Sequence, residues 1–114
     1  MVANGQYVFP DKATLETGVA AWIADETTAT ATYGDINTWG VAQVISMQGL
    51  FHSSSNFNSD ISNWDVSSVT NMGYMFFQAS AFNSDISRWN VSSVTTMEQM
   101  LGGAQISAIG MLEE

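Results

Sequence analysis

The feature of this chain that most constrains its fold is a sequence period of 25 residues. Tryptophan recurs at that interval, and columns of isoleucine and methionine keep the same register. A fixed period of roughly 20–50 residues is typical of solenoid proteins, in which each unit buries its apolar face against the next. The residues predicted to form this repeat core are Trp39, Trp64, Trp89, Ile36, Ile61, Ile86, Met47, Met72 and Met97.

Three consecutive blocks carry the period. Block 57–81 matches block 82–106 at 15 of 25 positions, and block 32–56 is more divergent but keeps the apolar columns. Apolar residues in 70–79 follow helical spacing, and residues 60–66 alternate as in a strand. The sequence therefore predicts a right-handed α/β solenoid, with one short strand and one short helix in each 25-residue leucine-rich-like repeat.

The residues before the blocks predict an N-terminal cap. Asp11 is a favourable helix N-cap with apolar residues after it at helical spacing, so residues 11–24 are expected to form a capping helix. The β-prone run TTATAT at 27–32 is expected to be a strand or an extended linker. Residues 1–31 are thus the predicted cap, and residues 107–114 a C-terminal tail or a partial fourth repeat.

The repeats resemble a known family. The pattern FN-D-IS-W-VSSVT-M--MF, in residues 32–106, is similar to the repeat of BspA-like leucine-rich-repeat surface proteins. The resemblance implies an extracellular or cell-surface location and a role in cell adhesion through binding of a protein or a glycan. The first ten residues, MVANGQYVFP, lack the basic and apolar regions of a signal peptide, so the expected location comes from the resemblance alone.

The composition excludes several classes of function. Eleven acidic residues face two basic ones, Lys12 and Arg88, and the formal net charge is −9. Nucleic acids and anionic membranes attract basic surfaces, so neither is an expected partner. The chain has no cysteine, which excludes disulfides, a thiolate nucleophile and a cysteine-ligated zinc site. It also has no apolar run near the ~20 residues that span a bilayer.

An aspartate column keeps the same period, at Asp35, Asp60 and Asp85. One interpretation is structural: each carboxylate accepts hydrogen bonds from backbone N–H groups of its own turn. The alternative is a calcium site, because calcium prefers oxygen ligands. The structural interpretation is favoured, because the chain lacks the ligand patterns of EF-hands and of calcium-binding β-solenoids.

The tryptophan column also has two interpretations. The three indoles are either part of the core or an exposed platform for sugar rings. The core is favoured because Ile61 and Val66, which flank Trp64, belong to the apolar columns.

Nothing in the sequence assigns a catalytic residue or a cofactor. The repeated acids occupy equivalent positions, which argues against the differently tuned acid and base of a glycosidase. The single histidine, His52, lies between units and is interpreted as a turn residue. The chain is therefore not expected to be an enzyme.

Variable positions on a constant frame indicate a recognition surface. Between the two best-matched blocks, Asn63 is replaced by Arg88 and Asp65 by Asn90, and ten positions further on GY becomes EQ. These four residues are the predicted ligand-binding residues.

Two functions remain open at this point. The first is a non-catalytic module of a surface or adhesion protein that binds a protein or a glycan. The second is a structural module that forms homo-oligomers through its C-terminal end, at residues 102–112, because an uncovered end of a repeat array pairs with another molecule.

Overall fold

The computed structural model describes residues 2–104, which begin with a short β-hairpin. Strand β1 (Val2–Ala3) pairs antiparallel with strand β2 (Gln6–Tyr7). Asn4 and Gly5 between them have φ angles of 55° and 81°. Two consecutive left-handed residues form the tight turn that suits the twist of a hairpin, and the sequence Asn-Gly favours it.

The predicted capping helix is helix α1 (Lys12–Ala24). Asp11 is its N-cap, and the Asp11 carboxylate accepts a hydrogen bond of 2.9 Å from the backbone N–H of Thr14. The buried side of α1 carries Leu15 and Trp22, which join the core. Local capping and helical spacing therefore determine this element.

Residues 27–32 lie in helix α2 (Glu26–Tyr33), so the predicted strand or extended linker is wrong. Asp25 ends α1 and is also the N-cap of α2: its carboxylate accepts hydrogen bonds from the N–H and the hydroxyl of Thr28. This cap starts a second helix at once and outweighs the β propensity of the threonines. Neither α1 nor α2 is long and apolar enough to cross a membrane.

A 3₁₀ helix at Ile36–Thr38 leads into turns that occupy residues 39–104. Backbone hydrogen bonds join these turns between residues 24 positions apart. The N–H groups of residues 47, 49, 51 and 53 donate to the carbonyls of residues 71, 73, 75 and 77; those of residues 72, 74, 76 and 78 donate to the carbonyls of residues 96, 98, 100 and 102. We refer to residues 47–53, 72–78 and 97–103 as the first, second and third rows.

The helix predicted at 70–79 is wrong. N–H groups there donate to the third row rather than to carbonyls four residues earlier, and Tyr74 and Gln78 have φ angles of 58° and 59°, which a right-handed helix does not accommodate. The strand predicted at 60–66 is also wrong, because residues 61–64 form a hydrogen-bonded turn.

The predicted α/β solenoid is therefore corrected. Residues 39–104 contain no repeated strand and helix; the protein is a small compact globule with two helices and a two-stranded antiparallel sheet. Its radius of gyration is 13.0 Å, close to the ~13 Å of a globular chain of about 100 residues. The sequence period determines which turns meet, but the turns close around one core instead of forming coils of strand and helix.

The centre of the core is a group of stacked phenylalanines. Phe51 stacks on Phe57 with ring centroids 4.1 Å apart, and Phe76 stacks on Phe82 at 4.0 Å. The two pairs are joined by Phe51 and Phe76 at 5.4 Å, with the rings nearly parallel. Among the described residues, none that is buried is polar or charged.

Gly18 lets helix α1 approach this core closely. A Cβ atom at Gly18 would lie 2.7 Å from the ring of Phe9 and 3.3 Å from the ring of Trp39. The first distance is shorter than a normal contact, so any other residue forces the ring or the helix to move. Close packing therefore offsets the poor helix propensity of glycine.

We expect Gly18→Ala to lower the free energy of unfolding by about 1–3 kcal/mol, because overpacking outweighs the ~1 kcal/mol that alanine gains in helix propensity. Urea unfolding measures the difference. The matched control is Thr17→Ala on the exposed side of α1, which should leave stability unchanged or slightly higher. A Gly18→Ala protein at least as stable as the wild type would contradict this account of the contact.

Candidate binding surface

Left-handed backbone recurs at two positions of each row. The first position is occupied by Gly49, Tyr74 and Gln99, with φ angles of 64°, 58° and 53°. The second is occupied by Ser53, Gln78 and Gly103, with φ angles of 60°, 59° and 83°. For residues other than glycine this conformation costs roughly 1–2 kcal/mol, so each row holds strained turn residues.

Tyr74 places an aromatic ring at one of these strained positions. Its ring lies 5.2 Å from that of Phe77 in an edge-to-face arrangement, and the ring of Phe77 lies 5.4 Å from the imidazole of His52. Tyr74 and Phe77 are half-buried, and His52 is exposed. We call these three residues the aromatic patch.

The edge of the patch toward the third row is formed by small and polar groups. Gly102 lies against Phe77, where a Cβ atom would be 3.0 Å from the ring. The N–H of Tyr74 donates to the carbonyl of Glu98 at 2.8 Å, which anchors the tyrosine backbone. The patch therefore sits on a fixed turn and presents ring surface to the outside.

His52 forms part of the patch rather than a catalytic group. The hydroxyl of Ser53 lies 3.0 Å from Nδ1 of His52, and both residues are exposed. A hydrolytic Ser–His pair needs a third group that orients the imidazole, and among residues 2–104 no carboxylate hydrogen-bonds to His52. The arrangement offers an aromatic face and a hydrogen-bonding edge.

The aspartate column lies in local turns. One oxygen of each carboxylate accepts a hydrogen bond from an N–H two residues later: Asp35 from Asn37 at 3.1 Å, Asp60 from Ser62 at 2.9 Å, and Asp85 from Ser87 at 2.9 Å. This is the structural role favoured by the sequence. In the part of the chain that the structure describes, no three His, Cys, Asp or Glu side chains come together to hold a metal ion.

Hydrogen bonds within these turns lower the pKa values of two of the column carboxyls. The backbone N–H of Ser62 is the main cause at Asp60, and the hydroxyl of Ser87 at Asp85. The charge of Arg88 lowers both pKa values further. The ionised carboxylates are therefore stabilised by the folded turns.

The predicted ligand-binding residues Asn63, Asp65, Arg88 and Asn90 are all exposed. The side chains of Asp65 and Asn90 accept hydrogen bonds from the serine two residues later, from both its N–H and its hydroxyl. The hydroxyl of Ser67 is the main cause of a lowered pKa at Asp65. Two of the four predicted side chains thus help to close turns, and the structure leaves their role in binding as a prediction.

The tryptophans belong to the core. The exposed fractions of Trp39, Trp64 and Trp89 are 2–3%, and Trp39 stacks on Trp64 with ring centroids 6.4 Å apart. Each indole N–H donates to a backbone carbonyl, of Gly34, Ile36 and Ile61 respectively. Of the other predicted core residues, Ile36, Ile61, Ile86, Met47 and Met72 are buried, and Met97 is half-buried.

The sequence did not identify the aromatic patch. One signal was present: the dipeptide GY at 73–74, replaced by EQ at 98–99, marks a variable position. The helical spacing of residues 70–79 concealed its meaning, because a helix would have placed Tyr74 on a solvated side without strain.

We expect the triple variant Asp60→Asn, Asp65→Asn, Asp85→Asn to unfold less readily in acid than the wild type. The folded pKa of each carboxyl is below the ordinary 3.8, so its stabilising effect is present above that pH and is lost as the pH falls through the lowered value. Asn90 forms the same turn with an amide, so the turns should persist. Thermal unfolding from about pH 7 to pH 2 measures the effect; an equal acid-induced loss in both proteins would contradict it.

Comparison with known proteins gives one match. A family model described as "Mycoplasma protein of unknown function, DUF285" matches residues 20–108, more than three quarters of the chain. No curated protein and no solved structure matches. The resemblance to BspA-like leucine-rich-repeat proteins is therefore corrected, because the family found is DUF285 and no BspA-like leucine-rich-repeat family is found.

Proposed function

The chain belongs to the DUF285 family, whose function is unknown, and from its own surface we propose that it is a non-catalytic binding module of a surface or adhesion protein. Its partner is a protein or a glycan carried on another surface. The observation that carries the proposal is the aromatic patch, in which Tyr74 holds its ring outward on a left-handed backbone.

The strain at Tyr74 supports a role for its side chain. Gly49 occupies the equivalent position of the first row with a similar φ angle and no strain. A tyrosine at this position costs roughly 1–2 kcal/mol, and its half-buried ring recovers only part of that through Phe77. Backbone strain of this kind concentrates at functional sites, and tyrosine is enriched where proteins meet their partners.

The chemistry of the surface favours binding over catalysis. Active sites commonly hold buried titratable groups with pKa values shifted toward the working pH. Here the shifted carboxyls of the described residues have lowered pKa values and close turns. Aromatic faces beside amide and hydroxyl groups are instead suited to stacking and hydrogen bonding with a sugar or a protein side chain.

The charge of the chain narrows the partner. With a net charge of −9, the surface repels nucleic acids and anionic lipid headgroups. A neutral glycan or a protein with basic residues meets no such barrier. The proposal therefore places the module outside the cell or at its surface, facing another surface.

We expect Tyr74→Gly to abolish binding while the fold persists. Glycine relieves the left-handed strain, so the free energy of unfolding should change by no more than about 1 kcal/mol. Loss of the ring should weaken partner binding at least about tenfold, as for an interface hot spot. Glycan and surface-protein arrays identify the partner, and binding titrations compare the variants.

Gln99→Gly is the matched control, because Gln99 occupies the equivalent left-handed position of the third row and has no aromatic ring. It should retain binding and unfold at the same or a higher temperature. Equal binding by the Tyr74→Gly protein, or no binding to either array by the wild type, would count against the proposal.

Self-assembly is a second candidate, favoured by the third row. The N–H groups of residues 97, 99, 101 and 103 correspond to those that join the other rows, and they have no partner among residues 2–104. An exposed row of backbone donors can pair with acceptors of another chain. The part of the predicted oligomerisation segment beyond residue 104 lies outside the described residues.

If this second candidate holds, we expect the mass measured by light scattering to rise with protein concentration, and to rise equally for Tyr74→Gly, whose substitution is in the second row. A monomer at every concentration would remove self-assembly. A rise that Tyr74→Gly abolishes would place the contact at the aromatic patch instead.

A further inference from the structure

A cleft of about 150 Å³ lies away from the aromatic patch, between the helices and the turn at residues 56–59. Its walls come from the end of α1 (Trp22 and Ile23), the start of α2 (Glu26), and Asn56, Phe57 and Ser59. Small-molecule sites usually enclose roughly 300–1,000 Å³. The cleft is therefore suited to a single long side chain rather than to a cofactor.

The walls of the cleft are rigid and largely apolar. Trp22 and Phe57 have exposed fractions of 4%, and the indole N–H of Trp22 donates to the hydroxyl of Ser59 at 3.0 Å. This bond ties α1 to the turn opposite and fixes the width of the cleft. The side chain of Ile23 has an exposed fraction of 47%, so apolar surface continues to the rim.

One charged group lines the cleft, the exposed carboxylate of Glu26. The one ion pair among residues 2–104 joins Lys12 to Glu16, so no cation of the described chain neutralises Glu26. The other basic residue, Arg88, acts on Asp60 and Asp85. Apolar walls therefore surround an uncompensated negative charge.

We propose that this cleft binds a lysine or arginine side chain of a partner protein. The methylene groups of such a side chain pack against Ile23 and Phe57, and its cationic head meets the Glu26 carboxylate, as amphipathic basic side chains do elsewhere. The indole of Trp22 adds attraction for a cation at its ring face. The net charge of −9 draws a basic partner toward this surface.

This inference rests on the proposed function only in taking the partner to be a protein. It goes further by naming the chemical group that is bound. The cleft and the aromatic patch are lined by different residues, so variants of each can fail independently.

The test is an NMR titration of the full chain with Nα-acetyl-lysine methylamide and with butylguanidinium at millimolar concentrations. We expect saturable shifts at the amides of Ile23, Glu26 and Asn56 and at the Trp22 indole N–H. Glu26→Gln should weaken the apparent affinity about tenfold. The matched control Glu16→Gln removes the same charge elsewhere on the helices and should bind as the wild type does, and thermal unfolding should show both variants folded.

Three results would overturn the inference: equal shifts with lysine acetylated on its side-chain nitrogen, equal shifts with neutral sugars, or equal weakening in Glu16→Gln. The absence of any saturable shift at the cleft would do the same. Shifts at the cleft combined with failure of both arrays would retain the cleft and reject the aromatic patch, so the two proposals are distinguishable.

Discussion

Backbone N–H groups inside packed turns must find acceptors, and in this protein many of those acceptors lie 24 residues further along the chain. An unsatisfied buried backbone group costs roughly 1–3 kcal/mol, so the rows depend on one another. The indole groups add to the same network: Trp64 and Trp89 each donate to a carbonyl 28 residues earlier. Polar contacts between distant segments therefore position the apolar side chains.

The stacked core follows from this network. Once neighbouring rows are joined by hydrogen bonds, equivalent side chains face one another, as Phe51 faces Phe76 at 5.4 Å and Phe57 faces Phe82 at 5.9 Å. Parallel aromatic stacking in turn excludes water from the backbone bonds. The glycine at position 18 lets helix α1 cover one end of this core, where larger residues would keep it away from Phe9.

Polar chemistry is consequently confined to the outside of the molecule, where it has two different roles. Carboxylates such as Asp60 and Asp85 close turns and are stabilised in their ionised form by those turns. Glu26 has no such role in the described residues and lines a cleft with apolar walls. Tyr74 is strained and its ring is partly exposed. These last two features distinguish a surface that binds from one that only maintains the fold.

The sequence by itself determined helix α1, its cap at Asp11 and the tryptophan, isoleucine and methionine columns, because capping and apolar periodicity act through neighbouring residues. The hairpin turn at Asn4 was also accessible to sequence reasoning, although it was not predicted. Tertiary structure alone decided that residues 70–79 form turns, and hence that Tyr74 projects from a strained backbone. Helix and turn place the same apolar residues inward; what separates them is whether each N–H finds its acceptor four residues back or in a segment 24 residues away, and local sequence does not contain that choice.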